Sequence, residues 1–414
     1  MTNISKLYCG RATPGDRLRY GTADDAQNRA CIAPADVTRR RPVVVWNITK
    51  ACNLNCVHCY TDSGAVKGQR ELSTAQAKNV IDDLAGFNVP AILFSGGEPL
   101  MRPDIFELAA YAAARGPVAA VSTNGTLITG ETAALLKDAG VSYVGISLDG
   151  IGRVNDDFRR TAGAFDRAVG GLRNCMKSGV RVGLRLTLTK VNFRQLDLLF
   201  DFVESEGVER VCFYHLVPTG RAMACEALTR EETVSAVDTI LERTVQLCGS
   251  DRQSEILTVD NHVDGVYLYL KLLERDPRRA AEVWNLLTWN GGGLCSSGVG
   301  IGCIDFDGIV HPDQFWHHYA LGDVRERPFS RIWTDPYEPL LTGLRDRKYR
   351  LKGRCGACRF LDACGGGLRV RADLRFGDPW APEPACYLSD TQIGLSQRKK
   401  VELAGRGELF DMPV

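Results

Sequence analysis

The first half of the chain alternates short apolar runs with amphipathic stretches. The apolar runs have strand length and many β-branched residues, and the segments between them have helical periodicity. Strands that alternate with helices predict parallel βαβ units, and six in succession predict a barrel or part of one. We therefore expect an α/β fold with a partial (β/α)6 TIM-type barrel. The predicted strands are 42–48, 91–99, 118–125, 141–150, 180–189 and 208–220, and the predicted helices are 73–87, 104–116, 130–140, 163–179 and 196–207.

The pattern changes after the sixth predicted strand. Two longer amphipathic segments, 232–249 and 277–289, predict helices, a glycine-rich stretch follows at 291–303, and 303–316 predicts a hairpin. Such a change indicates a second region beside the barrel. We expect an N-terminal extension at 1–41, the barrel core at 42–222, a helical linker region at 223–302, a small C-terminal domain at 303–395 and a tail at 396–414.

The charge balance and the distribution of apolar residues exclude several classes of protein. Lys and Arg number 51 against 50 Asp and Glu in 414 residues, so no basic surface for nucleic acid or an anionic membrane is indicated. The N-terminus lacks the pattern of a secretory signal, and no apolar run has the length of a bilayer span. We expect a cytoplasmic protein that binds neither nucleic acid nor membrane.

Cysteine is abundant, with 15 copies, and seven of them are grouped. Short spacings in a reducing compartment favour metal binding over disulfides. The isolated cysteines are interpreted as small buried apolar residues. The grouped cysteines are Cys52, Cys56, Cys59, Cys355, Cys358, Cys364 and Cys386, and the isolated ones are Cys175, Cys212, Cys225 and Cys248.

The first group, Cys52, Cys56 and Cys59, has C-x₃-C-x₂-C spacing and follows the first predicted strand. Zinc is the simplest alternative, but a structural zinc site normally takes four protein ligands. A 4Fe–4S cluster held by three thiolates keeps one iron open for a small molecule. The spacing therefore favours a cluster with one open corner.

The segment Gly96-Gly97-Glu98-Pro99 ends the second predicted strand, where glycine lets the backbone approach a ligand closely. With the C-x₃-C-x₂-C loop it resembles the radical S-adenosylmethionine (SAM) family of enzymes. The resemblance implies that SAM chelates the open iron of a 4Fe–4S cluster on the three catalytic cysteines, and that His58 replaces the aromatic residue often found before the last cysteine. The plainer interpretation is that the glycines of this motif serve ordinary turns and that Arg185 lies on the surface. The implied SAM contacts are Gly96, Gly97, Glu98 and Pro99 at the amino group, Asn124, Ser147 and Asp149 along the ribose and methionine, and Arg185 at the carboxylate.

The second group has the spacing Cys355-x₂-Cys358-x₅-Cys364-x₂₁-Cys386. Four thiolates also suit zinc. The arrangement is similar to the SPASM-type domain of radical SAM enzymes, which implies an auxiliary 4Fe–4S cluster. Leu368 and Asp313 stand where that domain has further cysteines, so we expect two clusters in all. Whether Cys295 and Cys303 bind metal stays open.

Several segments carry a narrower resemblance, to the radical SAM enzymes that modify siroheme-derived tetrapyrroles. They are ISKLYCG, GDRLRYG, VCFYHLVPTGR, LTVDNHVDG, SGVGIGCIDFDGIVHPDQFWHHYALGDVRERPFSRIW and LKGRCGACRFLDACGG. Within that group the likeness is to the deacetylases that convert 12,18-didecarboxysiroheme to Fe-coproporphyrin III in siroheme-dependent haem biosynthesis. It implies an electron donor such as ferredoxin or flavodoxin. Enzymes of d-type haem biosynthesis, haem b synthases that decarboxylate propionates, and SPASM peptide maturases are the alternatives, and a zinc-stapled scaffold is the non-enzymatic one.

A substrate with an iron and several carboxylates needs cations and an axial ligand. Histidine occurs only six times, and five copies fall in predicted loops or strand ends near the site, although a structural role is the usual one for any single histidine. Arginine can bind a carboxylate through two parallel hydrogen bonds, but surface solvation is the favoured interpretation of each candidate. The candidates for substrate contact are His215, His262, His311, His317 and His318, together with Arg221, Arg369 and Arg371.

Overall fold

A computed structural model of the chain describes residues 1–13, 15–16, 41–249, 254–289 and 292–412. In these residues one sheet has eleven strands, in the order β1-β8-β7-β6-β5-β4-β3-β2-β9-β10-β11. Strands β2 to β7 are parallel neighbours in chain order, which confirms the predicted barrel of six βα units. The strands are β1 Thr2–Asn3, β2 Val43–Asn47, β3 Ala91–Ser95, β4 Val118–Thr123, β5 Tyr143–Ser147, β6 Val182–Leu188, β7 Arg210–His215, β8 Glu255–Val259, β9 Ile301–Ile304, β10 Ile309–His311 and β11 Gly322–Asp323.

The helices follow the predicted order through the barrel. The capping box of Ser73 and Gln76 begins the first of the barrel helices, and its apolar face packs on the sheet. The α-helices of the described residues are α1 Ile4–Leu7, α2 Thr74–Gly86, α3 Ile105–Arg115, α4 Gly130–Asp138, α5 Arg153–Arg159, α6 Ala164–Lys177, α7 Leu196–Glu206, α8 Arg230–Gly249, α9 Val263–Arg275, α10 Pro277–Trp289, α11 Phe329–Trp333, α12 Pro339–Arg345, α13 Gly353–Gly356, α14 Leu361–Cys364, α15 Arg369–Phe376, α16 Asp390–Ile393 and α17 Gln397–Gly405.

The region from 223 to 302, expected as a helical linker, also carries a strand. Strand β8 is buried along its whole length and pairs with β7 in parallel. It therefore extends the parallel part of the sheet beyond residue 222, the expected end of the barrel core. Its five residues include Glu255 and Thr258 and are buried on both faces, so they lack the alternation that reveals a half-buried strand.

Part of the expected N-terminal extension belongs to the same sheet. Strand β1 pairs antiparallel with β8, and Ile4 and Leu7 of α1 are fully buried. Residues 17–40 of that extension, including most of the GDRLRYG segment, lie outside the described residues.

The predicted hairpin is present as β9 and β10, with Gly308 at φ +80° in its turn. Strand β9 also pairs in parallel with β2, so the C-terminal region continues the barrel sheet directly. In the second group of cysteines, Cys355 lies on α13 and Cys364 on α14, while Cys358 and Cys386 lie in the connections between the short helices α13 to α16. None of the described helices has the length and apolar character that crossing a membrane requires.

Candidate active site

The loop after β2 holds the first three cysteines at the carboxyl end of the barrel strands, where functional groups of such barrels lie. Each of the three thiols accepts a hydrogen bond from an N–H group. Donors aimed at sulfur favour the thiolate and tune a bound cluster. The pairs are the Leu54 amide with Cys52 Sγ, the Arg159 guanidinium with Cys56 Sγ and the Ser63 amide with Cys59 Sγ, each at 3.4 Å.

The thiols fit an iron–sulfur group by this donor pattern. Burial raises the pKa of Cys52 to about 12, so a metal must displace its proton on binding. Within the described part of the chain, no three His, Cys, Asp or Glu side chains converge tightly enough for a single metal ion. The assignment of a cluster therefore rests on the donors and on the spacing of the cysteines.

Gly96 and Gly97 hold the cysteine loop against the end of β3. The amide of Gly97 donates to Thr49 O at 2.8 Å, and the amide of Glu98 donates to Ala51 O at 2.8 Å. A Cβ at Gly97 would lie 2.2 Å from Ala51 O, and one at Gly96 would lie 2.5 Å from Thr49 O. The two glycines are thus required by the close approach of two backbones, before any ligand is considered.

Glu98 is completely buried, and its carboxylate binds protein donors. Its Oε1 accepts from Thr123 Oγ1 at 2.7 Å and its Oε2 from the Asn124 amide at 2.7 Å. Burial raises the pKa of Glu98 to about 7. The structure therefore places Glu98 as a link between the ends of β3 and β4, and Pro99 begins the 3₁₀ turn that follows.

Asn124 and Ser147 lie at the same edge of the sheet. The side-chain Nδ2 of Asn124 donates to Asn53 Oδ1 at 2.8 Å and so fixes the residue that follows Cys52. Ser147 ends β5, is half-buried and is in register with Arg185 on β6. Both positions are compatible with the expected line of contacts along SAM.

Asp149 and Arg159 form an ion pair that reaches a cluster cysteine, and sequence reasoning missed the arginine. The Arg159 guanidinium binds Asp149 Oδ2 through one nitrogen and Cys56 Sγ through another. Asp149 Oδ1 also accepts from the Thr187 amide at 2.7 Å, which ties the pair to β6. Arg159 is one of several arginines near a helix end, so nothing in the sequence distinguished it.

His58 occupies a buried place beside this ion pair. Its ring packs on Phe158 with centroids 4.5 Å apart, and its Nε2 lies 3.5 Å from Asp149 Oδ2. Burial lowers the pKa of His58 to about 4, so the ring is neutral. The residue thus packs as the aromatic side chain expected at this position would.

Arg185 does not lie on the surface. Its guanidinium donates to Tyr214 Oη and Ser122 Oγ inside the barrel, with the Nε–Oη distance 2.8 Å. The ring of Tyr214 also stacks under the cation, with 5.0 Å from Cζ to its centroid. Arg185 therefore reaches the strand ends already bound to two hydroxyls.

The second group of cysteines lines one pocket. Cys355, Cys358, Cys364 and Cys386 lie around it together with apolar residues that include Val263 and Val266. Burial raises the pKa of all four thiols. Four thiols that meet in an apolar pocket suit a thiolate-bound metal group.

Two fully buried arginines lie behind this pocket. Arg347 donates to Leu294 O at 2.7 Å, and Arg369 donates to Ala381 O at 2.6 Å. Arg347 Nη1 and the Nε and Nη2 atoms of Arg369 have no hydrogen-bond partner among the residues described. Burial and then the charge of Arg369 lower the pKa of Arg347 to about 9. Arg369 Nη2 lies 3.8 Å from the buried Glu383 Oε2, whereas no ion pair of Arg347 occurs among the residues described, so Arg347 is the buried cation that lacks a counter-ion.

The expectation that Arg369 and Arg371 are solvated at the surface is wrong. Arg371 is 3% exposed and donates to the backbone oxygens of His215, Leu216 and Asp260, the last at 2.6 Å. Both side chains are among the buried positions of α15. Arg221 is half-buried and donates to Cys56 O at 2.9 Å, so it holds the cysteine loop.

The five candidate histidines divide by their partners. Three have acids: His215 binds Asp264 at 2.8 Å, His311 binds Asp305 at 3.2 Å, and His318 is exposed beside Asp373. His262 Nδ1 and His317 Nε2 are buried and lack a partner in the described ranges. His317 also stacks on Tyr60, which follows Cys59, with ring centroids 6.0 Å apart. These two histidines keep a free ring nitrogen for a ligand.

Cys303 and Asp313 have protein partners. Cys303 is buried on β9 and accepts from Asn47 at 3.8 Å, while Asp313 accepts from Ser297 and the Phe315 amide. Cys175 and Cys212 are buried as expected, but Cys225 and Cys248 are only partly buried. Hydrogen bonding with Cys9 lowers the pKa of Cys248, so Cys248 is not an isolated cysteine.

Residues 46–203 match the model of the Radical SAM superfamily. The chain is 53% identical to the Fe-coproporphyrin III synthase of Methanosarcina barkeri over 95% of its own length and 99% of that protein. It is 44% identical to the pre-heme d1 synthase of Dinoroseobacter shibae over 86% of its length and 88% of that protein.

The fold has a close solved counterpart. The crystal structure of Streptococcus suis SuiB bound to S-adenosylmethionine superposes with a TM-score of 0.67, covering 88% of this chain and 82% of that one. At 16% identity this likeness concerns the fold alone. It agrees with a parallel barrel followed by a smaller C-terminal region.

Proposed function

Because this chain belongs to the radical SAM superfamily, we propose that it is an Fe-coproporphyrin III synthase. The observation that carries the proposal is the likeness to the Methanosarcina barkeri enzyme along nearly the whole of both chains. The proposed substrate is 12,18-didecarboxysiroheme, and the reaction removes its two acetate side chains.

The first cysteine site would hold the SAM-binding 4Fe–4S cluster. When bound, the cluster and SAM supply a 5′-deoxyadenosyl radical that abstracts hydrogen from carbon. The residues of the chain hold that site: Arg221 fixes the cysteine loop, and Arg159 donates to a ligand sulfur. Ser147, Asn124 and Arg185 lie at the strand ends where SAM would extend.

The second cysteine site would hold an auxiliary 4Fe–4S cluster within residues 303–395. The pocket shared by the four thiols and the unpartnered Nη1 atom of the buried Arg347 support this assignment. A cluster with four thiolates carries negative charge, which would balance Arg347, whereas Arg369 already pairs with Glu383. The proposed electron donor is an external carrier such as ferredoxin or flavodoxin.

The chemistry of the substrate explains why a carbon radical suffices. In a siroheme-derived ring, a saturated carbon with hydrogen lies beside the carbon that bears a methyl and an acetate group. A radical at the first carbon is placed to break the bond from the second carbon to the acetate. The product is a ring double bond with the methyl left in place, so the protein has to position the macrocycle and exclude water.

The likeness to a pre-heme d1 synthase favours a second candidate, the step of d-type haem biosynthesis that acts on the same substrate class. That reaction would remove propionates and keep the acetates. The two candidates therefore differ in the mass of the tetrapyrrole product.

The test is an anaerobic incubation of reduced, cluster-loaded protein with SAM and 12,18-didecarboxysiroheme. We expect Fe-coproporphyrin III, acetate and 5′-deoxyadenosine, identified by mass spectrometry. The Cys56→Ala variant should form none of them, whereas Cys175→Ala, which alters a buried cysteine away from both sites, should resemble the wild type. Loss of propionate mass from the ring would move the assignment to the d-type haem enzyme. Unchanged tetrapyrrole with active SAM cleavage would refute both.

A further inference from the structure

Asp260 lies directly after β8, at the carboxyl end of a parallel strand. Asp149 occupies the corresponding place after β5, and this edge of a barrel is where reacting groups are brought together. Three residues further on, Val263 lines the pocket of the second cysteine group. Asp260 thus lies between the interior of the barrel and the second cysteine site.

The backbone of Asp260 is in the left-handed region, with φ at +64°. Aspartate adopts this region more readily than most residues with a Cβ, and glycine adopts it at no steric cost. Asp62, Asn88 and Arg160 share the conformation, while Gly308, with φ +80°, is one of the glycines that adopt it. A functional role of Asp260 therefore depends on its side chain and on its place at the strand end.

The carboxyl group of Asp260 is left for a ligand. Its Oδ2 is buried and has no hydrogen-bond partner within the described ranges. The nearest guanidinium, that of Arg371, donates instead to the main-chain oxygens of His215, Leu216 and Asp260 itself. Arg185 is likewise engaged by Tyr214 and Ser122.

Burial raises the pKa of Asp260 above its ordinary value, although nearby cations oppose the change. A raised pKa lets a carboxyl group keep its proton to higher pH, which suits it to donate that proton. The titratable and charged groups that face it from the packed elements are Arg371, the N-terminal amine, His215, Arg185, Tyr214 and Asp313.

We propose that Asp260 is the catalytic acid that protonates the departing acetate arm. This inference rests on the proposed deacetylase function. Cleavage of the ring–arm bond leaves the arm as the radical •CH₂COO⁻. One electron, from a reductant of the iron–sulfur class, and one proton, from the Asp260 carboxyl, convert it to CH₃COO⁻. The Asp260 carboxylate then regains its proton from solvent before the second acetate leaves.

The first test compares Asp260→Asn with wild-type holoenzyme. The amide keeps the shape of the side chain but is no acid, so we expect 5′-deoxyadenosine to form while acetate per 5′-deoxyadenosine falls about 100-fold. In the wild type this ratio should decline as pH rises through the pKa of Asp260, and in Asp260→Asn it should not vary with pH. Asp238→Asn is the control. Asp238 is an acid on α8 that binds Tyr267 and Lys271 of α9, and its variant should show the acetate ratio of the wild type.

The second test separates catalysis from folding and needs no turnover. Asp260→Gly relieves the left-handed strain, so its thermal midpoint should equal or exceed that of the wild type while its acetate ratio is lost. In protein without SAM or substrate, the infrared difference between wild type and Asp260→Asn should contain the band of a protonated carboxyl.

An undiminished acetate ratio in Asp260→Asn would overturn the inference, as would a lower thermal midpoint in Asp260→Gly or absence of the protonated-carboxyl band. Failure of the proposed function looks different: the wild type itself would then yield no acetate from 12,18-didecarboxysiroheme.

Discussion

Arg159 connects the sulfur of Cys56 to the carboxylate of Asp149 in a setting where both charges are buried. Removing one partner of a buried pair leaves an unpaired charge, which costs about 3–5 kcal/mol. We expect Arg159→Met to lower the free energy of unfolding by that order and to reduce iron at the first site. Thermal denaturation and iron content after anaerobic reconstitution measure both effects.

Lysine at position 159 is the informative control. It keeps the charge but cannot reach the carboxylate and the sulfur through two separate nitrogens as Arg159 does. Arg159→Lys should therefore recover part of the stability and little of the N–H···S effect on the cluster. Equal iron content and stability in Arg159→Met and the wild type would contradict the role assigned to Arg159.

Gly97 tests whether the glycines serve the cysteine loop itself. A Cβ there would lie 2.2 Å from Ala51 O, a backbone atom that cannot move without shifting the loop. Gly97→Ala should therefore lose most iron from the first site while keeping iron at the second. Gly64→Ala is the matched control, because a Cβ at Gly64 meets nothing within 4 Å. Equal loss of iron in both variants would show that the close approach is not the cause.

At the residue scale, spacing predicted the cysteines and glycines, because ligand geometry and backbone contact constrain residue type strongly. Arg159 and Asp260 could not be found in this way. An arginine bound to a distant sulfur and an aspartate in the left-handed region are defined by tertiary contacts, and neither residue type is unusual in its segment. The sequence also favoured a solvated Arg369, since burial of a charge depends on what packs around it.

Helix α9 joins the barrel to the second cysteine site through one acid. Asp264 is fully buried, accepts from Tyr387 Oη at 2.8 Å and binds His215 Nε2 at 2.8 Å. Because Tyr387 follows Cys386, this link positions a cysteine ligand from the end of β7. Asp264→Asn should destabilise the chain and lower iron at the second site more than at the first.

Tyr387→Phe is the milder variant at this link. It removes one hydrogen bond to the carboxylate and keeps the ring packed on Tyr267, with centroids 5.4 Å apart. The loss of stability should be about 1–3 kcal/mol, since a buried acceptor loses a partner. Circular dichroism and iron analysis of the two variants measure the effects, and unchanged iron in Asp264→Asn would argue against a positioning role for α9.

At the element scale, the βα alternation predicted the six barrel strands and five of the barrel helices to within a few residues, but it missed α5, Arg153–Arg159. Strand β8 was missed because five buried residues carry no periodicity, and α9 because no cap residue marks its start: His262 stands at its N-cap without a side-chain cap bond. Both elements form where packing against β7 and the second cysteine region outweighs local sequence preference.

At the scale of the whole molecule, one sheet unites the N-terminus, the barrel and the C-terminal hairpin. Because β9 pairs with β2 and β1 pairs with β8, both edges of the barrel are covered by segments distant in sequence. Sequence could divide the chain into parts, but not foresee these pairings, which depend on edges left open by the barrel.

The balance of buried charge leads to the last prediction. Arg347 is 0% exposed, and its Nη1 atom has no hydrogen-bond partner in the part of the chain that the structure describes. Replacing such a charge by an apolar side chain stabilises a protein by about 1–4 kcal/mol when nothing compensates the charge. Arg347→Met should therefore raise the thermal midpoint of iron-free protein. In the iron-loaded protein the anionic cluster compensates the charge, so the same variant should lower the thermal midpoint and make the proposed auxiliary cluster harder to reduce.

Redox titration followed by electron paramagnetic resonance measures the reduction potential of that cluster, and a tenfold change in the reduced fraction corresponds to about 59 mV. The control is Arg350→Met. Arg350 lies three residues after Arg347 in the sequence, and its guanidinium lies over the ring of Trp380. It should change neither the midpoint nor the potential. A shift of the same sign with and without iron would mean that Arg347 does not face a negatively charged group at the second cysteine site.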